Sequence, residues 1–121
     1  MPWIAAHAIL YVRFKDGPQT EFPVWENVYL IESADPEAAL TIATRRARQD
    51  EGDANGTFTW NDRPAEWVFA GVRKLIAVSH AGLNTSLGTG DEITYSQMVL
   101  KSLDEVRRLG SGQPVDVRGY E

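Results

Sequence analysis

Glu66-Trp67-Val68-Phe69-Ala70-Gly71-Val72-Arg73-Lys74-Leu75-Ile76-Ala77-Val78 is the longest apolar run in the chain. Its β-branched and aromatic residues favour a pleated, packed backbone. Both alternate sets are largely apolar. Trp67, Phe69, Gly71, Leu75 and Ala77 form one, and Val68, Ala70, Val72, Ile76 and Val78 the other. An edge strand normally keeps one wet face, so this run predicts a central strand covered on both sides. Gly71 in its middle predicts a bulge or a close approach by another backbone.

Upstream of this strand, Trp3 to Phe14 alternates cleanly, with Ile4, Ala6, Ala8, Leu10, Val12 and Phe14 in one row. That pattern predicts a long first strand. Lys15-Asp16-Gly17-Pro18-Gln19 carries turn signals, and a second strand follows over Phe22 to Glu32. There Trp25, Tyr29 and Ile31 share a face with Asn27, while Val24, Val28 and Leu30 share the other with Glu26. The two strands are expected to pair as an antiparallel hairpin. Asp35-Pro36-Glu37 opens a helix: Asp35 caps free amides, Pro36 suits the first helical position, and Glu37 suits the positive end of the dipole. Ala39, Ile42, Ala43 and Ala47 line one face of it, Arg45, Arg46 and Arg48 fill its last turns, and Gly52 marks its stop.

A short strand at Thr57–Trp60 and the turn Asn61-Asp62-Arg63-Pro64 lead into the apolar run. Ser79 to Gly90 reads as a long loop in which Gly88-Thr89-Gly90-Asp91 is a turn. Glu92 to Leu100 offers a fifth strand, and Ser102 to Leu109 a short helix with Leu103, Val106 and Leu109 at spacing three. The order β-β-α-β-β-β predicts an α+β two-layer sandwich: a mainly antiparallel sheet of about five strands with one main helix packed on one face. Residues 1–109 are expected to form a single domain and 110–121 a C-terminal tail. The other sheet face needs cover as well. Trp25, Tyr29 and Tyr11 are assigned to it, half-buried by loops or by a second subunit, and a homodimer through that face is expected.

The composition narrows the function classes. A chain of 121 residues with 43% hydrophobic content supports one real core. No apolar run approaches the twenty residues of a membrane span. The start, Met1-Pro2-Trp3-Ile4, shows no secretion signal. With no cysteine there are no disulfides, thiolate metal sites or thiol nucleophiles. These features together predict a cytoplasmic location. A net charge of −5 disfavours nucleic acid as a partner and favours a cationic protein.

The chain resembles a family of small bacterial proteins known as domain of unknown function 4288. The likeness spans roughly Trp3 to Tyr95. It rests on Trp3-Ile4-Ala5-Ala6; Glu26 with Leu30-Ile31; Ala34-Asp35-Pro36-Glu37-Ala38-Ala39; Trp67-Val68-Phe69-Ala70-Gly71-Val72 with Leu75; and Gly90-Asp91-Glu92-Ile93. The resemblance implies one compact domain and brings no activity, cofactor or site with it. Ser79 to Gly88 reads as a longer insert than the family's, and the segment beyond Ser102 as an extension.

Candidate chemistry is sparse. His7 and His80 lack metal-site spacing, so no metal or cofactor is expected. The glycines of the long loop match no phosphate-binding fingerprint. Arg45, Arg46, Arg48, Arg63, Arg73 and Lys74 offer a basic patch, but the helix dipole already accounts for the first three. The binding candidates are Glu26 and Glu92, carboxylates beside apolar sequence, and Trp25 and Trp60, aromatics suited to an interface. Two readings compete. The first is a non-enzymatic protein-interaction module that neutralises a basic domain as immunity proteins do. The second is a small enzyme or ligand-binding domain whose carboxylate-lined site forms where Glu26, Glu92 and the 79–92 loop converge.

Overall fold

A computed structural model describes residues 2–78 and 88–119. The elements run β1 (Trp3–Phe14), β2 (Phe22–Glu32), α1 (Pro36–Arg48), β3 (Thr59–Trp60), β4 (Arg63–Val78), β5 (Asp91–Leu100), α2 (Leu103–Gly110) and β6 (Arg118–Gly119). The fold is α+β, with every strand pair antiparallel and the order β3-β4-β1-β2-β5-β6. His80 and most of the long loop lie outside the described residues.

The local signals explain the elements. Trp3 pairs with Glu32 and Tyr11 with Val24, closing the β1–β2 hairpin. Asp35 accepts a hydrogen bond from the Glu37 amide at 3.1 Å, and Pro36 follows it. Asn61 and Asp62 both take positive φ, 52° and 61°, in the two-residue turn between β3 and β4. That backbone matches the twist of a tight hairpin.

The apolar rows define two cores on opposite sides of the sheet. On one side α1 lays Ala39, Ala43 and Ala47 against Ile4, Ala6, Ala8, Leu10, Tyr29 and Ile31. On the other, Val106 and Leu109 of α2 close over Ile9, Tyr11, Phe22, Val24 and Leu100. The second sheet face, expected to be covered by loops or a second subunit, is covered at this end by the chain's own α2. Tyr11 lies there as assigned, but Tyr29 is fully buried on the α1 side, and Trp25 belongs to that same row. Of the segment 110–121, the described residues up to Gly119 also return to the sheet: Val115 packs against the second core and β6 pairs with Met98 and Val99.

The long run is not the centre of the sheet. β1 and β2 are. β4 pairs with β1 along its length, but on its other edge, among the described residues, meets only β3 and a bridge from Gly52. Its apolar residues on both faces reflect helices on both faces rather than strands on both edges. Two register shifts, between His7 and Ala8 and between Ile9 and Leu10, also reset its parity. Trp67, Phe69, Val72 and Leu75 consequently all face α1, which strict alternation does not allow. Gly71 provides both features expected of it. It lies in this bulged stretch with φ 153°, and a Cβ there would stand 2.4 Å from the Gly110 carbonyl oxygen.

Candidate functional site

The row Trp25, Asn27, Tyr29, Ile31 on β2 faces α1, and beyond the buried Tyr29 it turns aromatic and polar. The Trp25 ring meets Trp67 of β4 at 5.0 Å between centroids and 83°, and Trp60 of β3 at 5.7 Å and 88°. Tyr95 of β5 lies nearly parallel to Trp25, at 6.4 Å and 17°. Phe58 stacks on Trp67 at 5.7 Å. Each pair adds about 0.5–1.5 kcal/mol beyond its buried area, so the cluster is a stiff wall.

A bulge brings the acidic side of the site into place. Tyr29 opposes Glu92 while Val28 opposes Thr94, which leaves one extra residue in β5. Directly opposed residues share a face. Glu92 and Tyr95, three apart, both therefore join the α1 side beside Tyr29 and Asn27. Without the bulge one of them would point away.

Together these residues enclose a cavity of about 280 Å³. Trp25, Trp67 and Tyr95 wall it, Leu10 contributes an apolar floor, and Asn27, Asp50 and Glu92 are its polar groups. A second cleft of about 420 Å³, lined by Arg45, Arg46, Gln49 and the Thr89–Glu92 segment, adjoins it through Glu92.

The polar groups form a chain with a fixed direction. Arg46 donates to Asp50 at 2.9 Å and to the Gly90 carbonyl at 2.9 Å, and its guanidinium lies 4.7 Å over the Tyr29 ring. The Tyr29 hydroxyl donates to the other oxygen of Asp50. Its proton being committed, it accepts from Asn27 Nδ2 at 3.1 Å. That orients the Asn27 amide and leaves Oδ1 as the free end. Asn27 is 7% exposed, and Oδ1 has no hydrogen-bond partner among the described residues. Such buried acceptors are uncommon, and each costs about 1–3 kcal/mol.

The charges do not balance. Arg46 offsets Asp50, and Glu92, an exposed residue, has no ion pair among the described residues. Partial desolvation raises the Glu92 carboxyl from its ordinary value, the Asp50 charge adds to this, and Arg46 opposes it. Burial likewise raises the Tyr29 hydroxyl, reinforced by its bond to Asp50. Tyr29 thus stays a protonated donor across the physiological range.

Of the residues singled out in the sequence, Trp25, Trp60 and Glu92 come together here. Glu26 does not. It opposes Ser96 on β5 and faces the α2 side, where it is 8% exposed and held by Arg73 at 2.5 and 3.2 Å and by His7 at 3.2 Å. The expected convergence of Glu26 with Glu92 fails because the two lie on opposite faces of one sheet. Burial alone would raise the Glu26 carboxyl, but the hydrogen bonds from Arg73 and His7 outweigh it and hold the group below its ordinary range. Glu26 is thereby a structural ion pair.

Asn27, Asp50, Trp67 and Tyr95 were missed as site residues. Two carried a signal. Asn27 is a polar residue inside an apolar strand row, and Asp50 is an anion just past the C-terminus of α1, where the dipole disfavours it. Two of the three helix arginines are spent locally: Arg46 on Asp50, and Arg48 on Glu51 at 3.3 Å and over the Phe69 ring at 5.2 Å.

Among the described residues, no three His, Asp or Glu side chains gather as a metal site, and no helix is long and apolar enough to cross a membrane. A family model described as a domain of unknown function, DUF4288, matches residues 3–94. No curated protein and no solved structure matches the chain. The matched span includes Trp25, Asn27, Asp50, Trp60, Trp67 and Glu92 and stops one residue before Tyr95, with α2 and β6 beyond it.

Proposed function

Because this chain belongs to the DUF4288 family, whose membership brings no activity, we propose from its own geometry that it is a non-enzymatic binding module. It works in the cytoplasm and takes a cationic partner into the aromatic, acidic cavity on the α1 side. One observation carries this reading. The cavity joins three aromatic walls to two carboxylates, Asp50 and Glu92, and to Asn27, whose buried Oδ1 has no hydrogen-bond partner among the described residues. The net charge of −5 adds a long-range field of the right sign. An immunity-like role, in which the protein neutralises a basic domain, is the form of this reading that suits a small acidic protein.

The second reading, a small enzyme or ligand-binding domain with its site near residue 92, rests on the raised Glu92 carboxyl beside Asp50. Two carboxyl groups whose environments push their proton affinities apart are the ingredients of acid–base chemistry.

Affinity capture from native lysate, at low and moderate salt, separates the two. Tyr95→Ser is the control variant, because Tyr95 is 54% exposed and its loss spares the core. The binding module is expected to retain one stoichiometric polypeptide that the variant loses. Recovery of the protein with a small molecule supports the enzyme or ligand-binding reading instead. Equal capture by both proteins, or recovery of the chain alone, contradicts the cavity as the binding surface.

A further inference from the structure

We infer that the cavity reads an arginine side chain presented by the partner polypeptide. This rests on the binding-module reading and names the group that the module recognises. The inference follows from three properties of the site taken together.

The first is charge. Arg46 pairs with Asp50, so the mouth of the cavity carries one exposed carboxylate, Glu92, with no ion pair among the described residues. A single positive charge balances it. A neutral ligand leaves it unpaired, and an anion is repelled.

The second is hydrogen-bond polarity. The Asp50–Tyr29–Asn27 chain has its protons fixed from the carboxylate end, so Asn27 turns its amide nitrogen to Tyr29 and keeps a buried carbonyl with no partner among the described residues. Carbonyl and carboxylate together ask for N–H donors pointing in more than one direction. A quaternary ammonium has none. A guanidinium has five in a rigid fork.

The third is shape. Trp25 and Tyr95 are nearly parallel, and Trp67 stands at 83° to Trp25. Flat walls meeting at right angles favour a planar cation, which stacks on one face and turns its donors along the edges. An ammonium fits the charge but makes no stacking contact. The volume of about 280 Å³ holds one side chain and not a folded segment, so the rest of the partner stays outside. There the adjoining cleft with Arg45 and Gln49 receives neighbouring backbone.

The test uses N-acetyl-arginine methylamide, with the lysine and citrulline counterparts as probes of charge and shape. Three of the four tryptophans, Trp25, Trp60 and Trp67, sit in the cluster, so intrinsic fluorescence reports occupancy. The arginine probe is expected to give a saturable change. Citrulline, the neutral isostere, is expected to bind about tenfold more weakly or not at all, and lysine to fall between them. Glu92→Gln is expected to weaken the arginine probe about tenfold. Its thermal midpoint stays unchanged or rises, since the substitution relieves a carboxylate already pushed up by partial desolvation and by Asp50. A merely structural glutamate would lower the midpoint.

Citrulline binding as well as arginine, lysine binding better than arginine, no saturable change, or undiminished binding by Glu92→Gln each overturns the inference. If the arginine probe fails while Tyr95-dependent capture of a polypeptide succeeds, the module stands and its guanidinium specificity falls. If both fail, both fall.

Discussion

Gly71→Ala is expected to destabilise the fold by about 3–4 kcal/mol, from about 1–3 for a backbone conformation reserved to glycine and a similar cost for forced displacement. The backbone has φ 153°, and the new methyl group would stand 2.4 Å from the Gly110 oxygen and 3.0 Å from its carbon. These are backbone atoms at the end of α2, so relief requires the helix to lift from β4. That opens the core under Val106 and Leu109. Two controls divide the effect. Gly56→Ala has φ 86° with nothing within 4 Å of the new Cβ, and carries strain alone. Gly110→Ala meets the Ala70 carbonyl oxygen at 2.8 Å, and carries contact alone. Urea unfolding of the three variants is expected to rank Gly71→Ala as the most damaging, with a thermal midpoint about 12 °C lower. A loss under about 1 kcal/mol would show that α2 does not press on β4 as described.

Arg73→Leu is expected to cost about 3 kcal/mol at neutral pH, because it strands a buried carboxylate. Glu26 would keep His7 as a partner, which sets the figure at the low end of that range. The pH dependence carries the sharper signature. In the native protein the Glu26 carboxyl lies below its ordinary value of 4.5. The ion pair therefore contributes stability that is present above pH 4.5 and is lost as pH falls through the depressed folded value. Removing Arg73 leaves burial as the leading influence, which raises the carboxyl. The sign then reverses: the variant gains stability as pH falls from neutral toward 4.5. Unfolding curves at pH 7 and pH 5 check this, and Glu26→Gln added to Arg73→Leu is expected to restore most of the loss. A variant with native pH dependence would contradict the assignment of Glu26 to the α2-side ion pair.

The elements of this fold were legible because their signals are local. The alternation of Trp3 to Phe14, the cap at Asp35 with Pro36 behind it, and the turn at Asn61-Asp62 each act within a few residues. Strand order is not local. The run from Glu66 to Val78 announces that both of its faces are covered, and helices provide that cover as well as strands would. Bulges were the larger obstacle. The shifts at His7/Ala8, Ile9/Leu10 and Val28/Tyr29 each invert the inward and outward parity downstream. They place Val72 with Trp67, and Glu92 with Tyr95.

The same inversions account for how little of the site could be read. Trp25, Trp60 and Glu92 stood out by type, and the structure assembles them. Glu26 stood out for the same reasons and lies on the other face. Asp50 enters because the chain leaving α1 docks Gly52 beside Trp67, with backbone hydrogen bonds of 3.1 and 2.8 Å. No pattern around Asp50 announces that contact. Asn27 was visible as a polar interruption of an apolar row, and its significance emerges only with Tyr29 and Asp50 beside it.

The central claim is that the cavity bounded by Asn27, Trp25 and Trp67 is where a cation binds. Two-dimensional proton–nitrogen spectra recorded during titration with N-acetyl-arginine methylamide test it most directly. The account predicts progressive shifts of the Asn27 side-chain amide and of the Trp25 and Trp67 indole N–H groups, with Val106 and the Arg73 side chain on the α2 side unmoved. Shifts centred on the α2 side, or an unchanged Asn27 amide at saturation, would contradict it.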